Sequence, residues 1–320
     1  GKDLSGQISA SSNFRNVTNP FSMVENSEPS DKNERWVGDV FLEISPIKGL
    51  LFRSDVSLDL TNVRNKLFKR AYHYSDYDQG DKNFLSSEMA RYSTLKVENI
   101  LTYSTDIKKH SFTAMAGQTT EEYNYYSMGG SGASILNPKE TNWYLNQTTE
   151  DRSVSSDAVA RSRMFSLLGR LQYSYDSRYL ATLSFRADGT SKFPENTWGY
   201  FPSTALAWRV SEEPWMKNIS NLDVLKVRAG WGQIGNEKVG NDSFILKMYN
   251  TGPTFVDYVF GSSQQLANGA TILTYVNNGG KWEVTEQWDL GVDAGFFKGK
   301  LNATVDLFIR DTKEMLLNVK

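Results

Sequence analysis

Among its 320 residues the chain has no cysteine and only two histidines, His73 and His110. The first absence removes thiol nucleophiles and disulfides. With so few imidazoles, most zinc sites and histidine-based proton transfer are poor expectations as well. A lack of cysteine also suits an oxidising envelope compartment and a protein that needs no covalent staples. No apolar run approaches the ~20 residues that a membrane-spanning helix requires, and mean hydropathy is −0.49. A helical membrane protein is thereby excluded. Charge of one sign is missing too: 35 basic residues face 37 acidic ones, for a net charge of −2. There is no general basic field to attract nucleic acid, and no nucleic-acid partner is expected.

What the chain does have is alternation with a period of two. Over 286–313 the apolar residues Trp288, Leu290, Val292, Ala294 and Phe296 are separated by Gln287, Asp289, Gly291, Asp293 and Gly295. Lys298-Gly299-Lys300 reads as a tight turn, and Leu301, Ala303, Val305, Leu307 and Ile309 then alternate with Asn302, Thr304, Asp306 and Arg310. Successive strand side chains point to opposite faces, so this hairpin has one greasy face and one wet, ionised face. A transmembrane β-barrel needs that arrangement, with lipid outside and a polar lumen. A composition of 39% hydrophobic residues is compatible with it, because barrel strands are only half apolar.

Alternation and turn signals predict about eleven strands. The first lies near 4–14. Hairpins follow at 36–61, turning at Pro46-Ile47-Lys48-Gly49, and at 89–123, turning at Asp106-Ile107-Lys108-Lys109. Another spans 163–190 and turns at Asp176-Ser177-Arg178. Strands near 198–210 and 224–235 are linked by Ser211-Glu212-Glu213-Pro214-Trp215, and the 286–313 hairpin closes the series. The expected strands run about 11–13 residues, against a soluble mode of ~5–6. Short connections at 46–49, 106–109, 176–178 and 297–300 contrast with long ones at about 15–35, 62–88, 124–162 and 236–281. Long loops on one side and tight turns on the other are the habit of outer-membrane barrels. Aromatic residues gather at strand ends, with Tyr173, Tyr175 and Tyr179 at one turn, Phe296 and Phe297 at another, and Trp208 and Trp215 beside the 211–223 connection. This pattern predicts an interfacial girdle. The opening Gly1-Lys2-Asp3-Leu4-Ser5-Gly6 reads as a strand edge, not as a signal peptide, and Met315-Leu316-Leu317-Asn318-Val319-Lys320 leaves a hairpin without its next neighbour. An unpaired edge in lipid is costly, so residues 1–320 are read as a fragment of a larger closed barrel.

A family resemblance rests on 178–236. Arg178-Tyr179-Leu180-Ala181-Thr182-Leu183-Ser184-Phe185-Arg186-Ala187-Asp188-Gly189-Thr190-Ser191-Lys192-Phe193 precedes Trp198-Gly199-Tyr200-Phe201-Pro202-Ser203. Ala207-Trp208-Arg209-Val210-Ser211-Glu212-Glu213 and Leu225-Lys226-Val227-Arg228-Ala229-Gly230-Trp231-Gly232-Gln233-Ile234-Gly235-Asn236 follow in order. These blocks, with parts of 282–317, resemble the barrel of SusC/RagA-type TonB-linked outer-membrane transporters of Bacteroidetes. The likeness covers about 100 residues well, while 1–177 agrees only in pattern. It implies an antiparallel, 22-stranded plugged barrel, of which this chain is about half the wall, with the N-terminal plug and the C-terminal strands missing. It further implies nutrient import gated by the plug and powered through TonB. The cargo would be an oligosaccharide or a peptide, and a SusD-like surface lipoprotein the partner.

Within the resembling blocks, Asp188-Gly189 is expected to form a turn at positive φ. Pro202 is expected where the ladder can spare a donor, and Gly230, Gly232 and Gly235 at a bulge, a bend or a close plug contact. In the predicted loops, Asp76-Tyr77-Asp78-Gln79-Gly80-Asp81 has carboxylates that could wrap calcium. Its spacing does not match an EF-hand, so a solvated acidic loop is favoured. Tyr123, Tyr125, Tyr126, Trp143 and Tyr144 could stack on sugars, yet packing is the commoner habit of large rings. Gly129-Gly130-Ser131-Gly132 is no phosphate loop, because no Gly-Lys-Ser/Thr follows. Residues 261–280, with Gly261-Ser262-Ser263 and Asn277-Asn278-Gly279-Gly280, read as an outer loop. His73 and His110 fall beside opposite kinds of connection and cannot share one site. The reading is therefore a transporter and not an enzyme, with no catalytic residue, metal or cofactor, and no ligand-binding residue named. The rivals are an adhesin or structural barrel, an outer-membrane hydrolase, which the histidine count disfavours, and a passive porin.

Overall fold

The computed structural model describes residues 20–75, 78–216, 219, 221–238, 248–249, 258–260, 262, 264–267, 269, 271–272 and 279–315. Ten strands carry the fold: β1 (Ser27–Ile44), β2 (Leu50–Lys69), β3 (Phe84–Ile107), β4 (His110–Ile135), β5 (Thr148–Tyr175), β6 (Tyr179–Thr190), β7 (Trp198–Arg209), β8 (Leu222–Asn236), β9 (Glu283–Phe296) and β10 (Leu301–Lys313). They form a single sheet in which each strand lies beside its neighbours in sequence. The ladders from β5 to β10 are antiparallel. Ten of the eleven expected strands are thus present. The one expected near 4–14 lies outside the described residues, as do Leu316–Lys320 and half of 261–280.

The tight connections fall where the turn residues predict them. Asp176 and Ser177 both take positive φ, 49° and 55°. The Arg178 N–H donates to the Tyr175 carbonyl at 2.9 Å, which closes the three-residue connection to Tyr179 with a turn whose two central residues are left-handed, as strand twist favours. Gly49 takes φ 85°, and a Cβ there would stand 2.3 Å from the Ser104 carbonyl oxygen. Only glycine meets both demands.

Three strands, β6, β7 and β10, keep the expected length at 12, 12 and 13 residues, and the others are longer. β3, β4 and β5 run 24, 26 and 28 residues, well beyond the ~9–11 that cross a bilayer. The predicted loops at 62–88 and 124–162 shrink accordingly, the second to residues 136–147. Gly129-Gly130-Ser131-Gly132, Tyr123, Tyr125 and Tyr126 are therefore strand residues of β4, not loop residues. In the extended parts apolar and polar residues no longer alternate regularly, so the sequence mark of a strand disappears while the strands continue. Asp188-Gly189 is likewise not a turn. Both residues lie in β6, with Asp188 opposite Gly199 and Gly189 opposite Trp198. A Cβ on Gly189 would sit 3.3 Å from the Trp198 indole, so the glycine makes room for a ring and not for a bend.

Contacts divide the chain into two units. One comprises the described residues of Gly1–Asp39, Ser57–Leu95 and Tyr123–Arg161, the other those of Val40–Val56, Lys96–Glu122 and Ser162–Lys320. The first unit has a small core of Phe68, Leu85, Ile135 and Trp143, in which Phe68 and Trp143 stack at 4.4 Å. Trp143 therefore packs, as favoured, whereas Tyr144 stays exposed with the Lys66 ammonium 5.3 Å from its ring. The second unit's core is Phe193, Phe201 and Trp282. Gly235 belongs to it, because a Cβ there would lie 2.0 Å from the Phe201 ring. Gly230, Gly232 and Gly235 sit in regular register, and the irregularity of the β8–β9 pairing falls between Leu222 and Val224. The expected bulge is replaced by room for a neighbouring side chain. Pro202 does stand where a donor can be spared, one residue past the end of the β7–β8 ladder at Ser203.

Candidate functional site

In the second unit, register sorts the side chains of β6 to β10 onto two faces. Leu183, Thr204, Trp231, Trp288 and Ile309 lie opposite one another from strand to strand, and so do Ala181, Leu206, Ala229, Leu290 and Leu307. Directly opposed residues share a face. This face is exposed although it is apolar: Leu183, Leu206, Leu290 and Leu307 are all more than half accessible.

Two rows of rings border it. Near the short turns, Tyr175 stacks on Tyr179 and Tyr179 on Trp208 at 6.3 and 6.4 Å. His110 joins this row through a 2.8 Å hydrogen bond to the Tyr173 hydroxyl. The second row contains Phe185 with Tyr200 at 6.2 Å and Trp231 with Trp288 at 5.8 Å. Tyr179 to Phe185 and Tyr200 to Trp208 span six and eight residues, roughly 20–27 Å at ~3.3 Å per residue. That brackets the ~25 Å apolar band of outer-membrane barrels. Beyond the second row polarity returns on the same face, where the Glu286 carboxylate accepts the Trp231 indole N–H at 2.8 Å and faces the Lys313 ammonium at 3.4 Å.

The other face is ionic. Arg228 donates from Nε and Nη2 to Asp293 at 2.8 and 2.9 Å, and from Nη2 to Asp306 at 2.9 Å. Gly291 lies directly between Arg228 and Asp306 in the register, and a Cβ there would meet the guanidinium carbon at 2.9 Å. The glycine lets the arginine lie flat across the strand. Arg186 binds Asp188 and Ser166, and Arg310 binds Gln287. Planar guanidinium forks suit such bidentate contacts. Alternation marks this face as ionised, but the pairs within it follow only from register. A tight turn at 297–300 already dictates that Asp306 faces Gly291.

At the short-turn side, outside the apolar band, the 210–216 connection is tied to two hairpins. Glu213 accepts from the Tyr179 hydroxyl at 2.6 Å, the Trp208 indole at 3.1 Å and Arg178 at 3.4 Å. Arg178 also pairs with Asp176, which holds the Lys109 ammonium at 3.0 Å. The bonds from Tyr179 and Trp208, helped by Arg178, hold the Glu213 carboxyl below its ordinary value although partial burial pushes it up. Lys109, and after it Arg178, act on Asp176 in the same direction. A carboxylate whose folded pKa is lowered stabilises the fold above its unfolded value, ~4.3 for Glu, and that contribution is lost as pH falls through the lowered folded value. Urea midpoints of the folded protein are therefore expected to hold near neutrality and to drop on acidification. Glu213→Gln is expected to lower the neutral midpoint and flatten the acid limb. An unchanged acid limb in the variant would remove this role.

Among the described residues the remaining candidates do not assemble a site. Asp76 and Tyr77 lie outside the described residues. Asp78 is buried and accepts the Ser22 hydroxyl at 3.0 Å on both oxygens. Among the described residues no group of three or more metal-ligating side chains occurs. His73 pairs with Gln79 in the short hairpin Tyr72–Ser75/Asp78–Gly80.

A long antiparallel meander with an exposed apolar band, ring borders and an ionic opposite face defines a membrane-spanning β-barrel wall. Residues 5–320 match the family model for the TonB dependent receptor-like β-barrel, and the chain belongs to that family of outer-membrane receptors and transporters. The match extends the likeness well past the 100 residues that carried it in the sequence. The TonB-dependent receptor SusC of Bacteroides thetaiotaomicron is 37% identical over 163 residues, which are 51% of this chain and 16% of that protein. The TonB-dependent receptor P39 of Formosa agariphila is 30% identical over 282 residues, 87% of this chain and 26% of that protein. Among solved structures, one of the RagAB peptide transporter aligns with a TM-score of 0.84 at 23% identity, covering 99% of this chain and 34% of that one. This last likeness shows the shared fold. The chain spans 16–30% of the length of the curated relatives.

Proposed function

We propose that this chain is part of the wall of a TonB-dependent importer in the outer membrane of a Bacteroidetes-type cell. The observation that carries the reading is the pairing of an uncharged, exposed, ring-bordered face with an ion-paired one on the same strands. Such a wall keeps its ladder in lipid and offers polar groups to a lumen. In this reading residues 1–320 supply about half of the barrel, and the plug and the closing strands lie elsewhere in the polypeptide. The plug gates the lumen, TonB delivers the energy, and a SusD-like lipoprotein helps to hold the cargo at the surface. The cargo is an oligosaccharide or a peptide, as the family resemblance implies, and the second is in keeping with the RagAB peptide transporter whose fold the chain shares. The wall does no bond chemistry.

The test is uptake of labelled oligosaccharides and peptides by cells carrying the full-length protein. Accumulation is expected to stop when the proton gradient is collapsed or TonB is deleted. Passage that persists without either would indicate a passive porin. Cell-surface adherence without any uptake would indicate an adhesin.

A further inference from the structure

We propose that the polar face of the first unit holds a subsite for a neutral oligosaccharide, built on Tyr92, Tyr123 and the Arg35–Asp59 pair. The proposal rests on the importer reading above and narrows its cargo to sugar. An open groove of about 360 Å³ lies over β1 to β4, lined by Asn33, Arg35, Asp59, Tyr92, Tyr123 and two threonines. Its volume falls within the ~300–1,000 Å³ usual for small-molecule sites.

The lining has a particular chemistry. Arg35 and Asp59 form a fork, Nε to Oδ1 at 3.0 Å and Nη2 to Oδ2 at 2.6 Å, and their side chains remain 63% and 38% exposed. The two charges cancel, so the groove does not select an anion. The pair still presents unused N–H donors and carboxylate lone pairs side by side, the array that two neighbouring hydroxyls can meet. Across the groove Tyr92 is exposed and its ring is braced by Tyr125, with centroids 4.9 Å apart. A held ring with a free face suits the apolar C–H face of a pyranose. A peptide would ask for something else, either an unpaired strand edge or apolar pockets for side chains. The groove opens on the face of the sheet and not along an edge: β2 to β4 are paired on both sides, β1 is the end strand of the described sheet and gives Asn33 and Arg35 to the lining, and no aliphatic side chain lines it.

The experiment uses the full-length transporter in detergent. Binding is measured to neutral oligosaccharides of four to eight units cut from starch, xylan, mannan and β-glucan, and to a tryptic peptide pool. Uptake of the same probes is followed in cells. At least one glycan is expected to bind, with affinity at least tenfold weaker in Tyr92→Ala and Asp59→Asn and near wild type in Tyr92→Phe, which keeps the ring. Equal binding by wild type, Tyr92→Ala and Asp59→Asn would overturn the subsite and leave the importer standing. Retention of peptides and of no glycan would overturn the sugar assignment, again with import intact. No energised uptake of any probe would remove the importer reading and this proposal with it.

Discussion

Phe201→Ala is expected to cost the folded protein about 3–5 kcal/mol, the range for removing a large buried ring. The ring is 6% exposed and lies 5.4 Å from Trp282 at a near-perpendicular angle. It occupies space left open by two glycines, since a Cβ on Gly199 or Gly235 would come within 2.5 or 2.0 Å of the ring. The reverse substitution tests the same packing from the other side. Gly235→Val overfills the site and is expected to cost about 1–3 kcal/mol or more. Adding Phe201→Leu to it is expected to recover part of the loss, because the two positions share one volume. Urea titration of the full-length protein refolded into lipid vesicles reads all three. A change below about 0.5 kcal/mol for Phe201→Ala, the size of an ordinary surface substitution, would show that Phe201, Phe193 and Trp282 are not a core.

The second large effect concerns the apolar band. Val292 sits midway between the ring residues Trp288 and Phe296 on β9 and is exposed. Val292→Arg would place a guanidinium near the middle of the hydrocarbon, at an expected cost of about 2–4 kcal/mol. The same charge on the other face is expected to cost little. Ala205 lies opposite Thr182 and Gly230 on the face that carries Arg228, so Ala205→Arg meets water and carboxylates there. The band between the ring rows thus predicts a difference set by face alone. Heat-modifiable migration on gels, which reports a folded barrel, is expected to be lost or reduced in Val292→Arg and retained in Ala205→Arg. Equal behaviour of the two variants would mean that the exposed apolar face does not meet lipid.

Much of this could be read before any coordinates. The strand order was legible because each tight turn joins sequential neighbours, and alternation told which residues of β6 to β10 share a face. The girdle was legible because rings cluster at strand ends. Reading failed where alternation failed. The β4 pattern stops at about residue 123 because Gly129, Gly130, Ser131 and Gly132 carry no hydrophobic mark, yet the strand continues through them to Ile135. Asp188-Gly189 has the composition of a turn, although the pair runs straight through β6. A glycine's preference for bends and its ability to admit a neighbouring ring are indistinguishable in one dimension.

The sequence by itself determined the two-faced strands, the places where the chain reverses and, through the tight turns, the pairing of each hairpin. Those are local properties, set by side-chain period and by backbone φ within a few residues. Only the tertiary structure decided which glycines receive the Phe201 and Trp198 rings, that Arg228 reaches across β9 to Asp306, and that Glu213 ties one connection to two hairpins. It also decided that Arg35, Asp59, Tyr92 and Tyr123 line one groove. Each of these joins residues from separate strands or connections, and their meeting depends on several registers holding together at once.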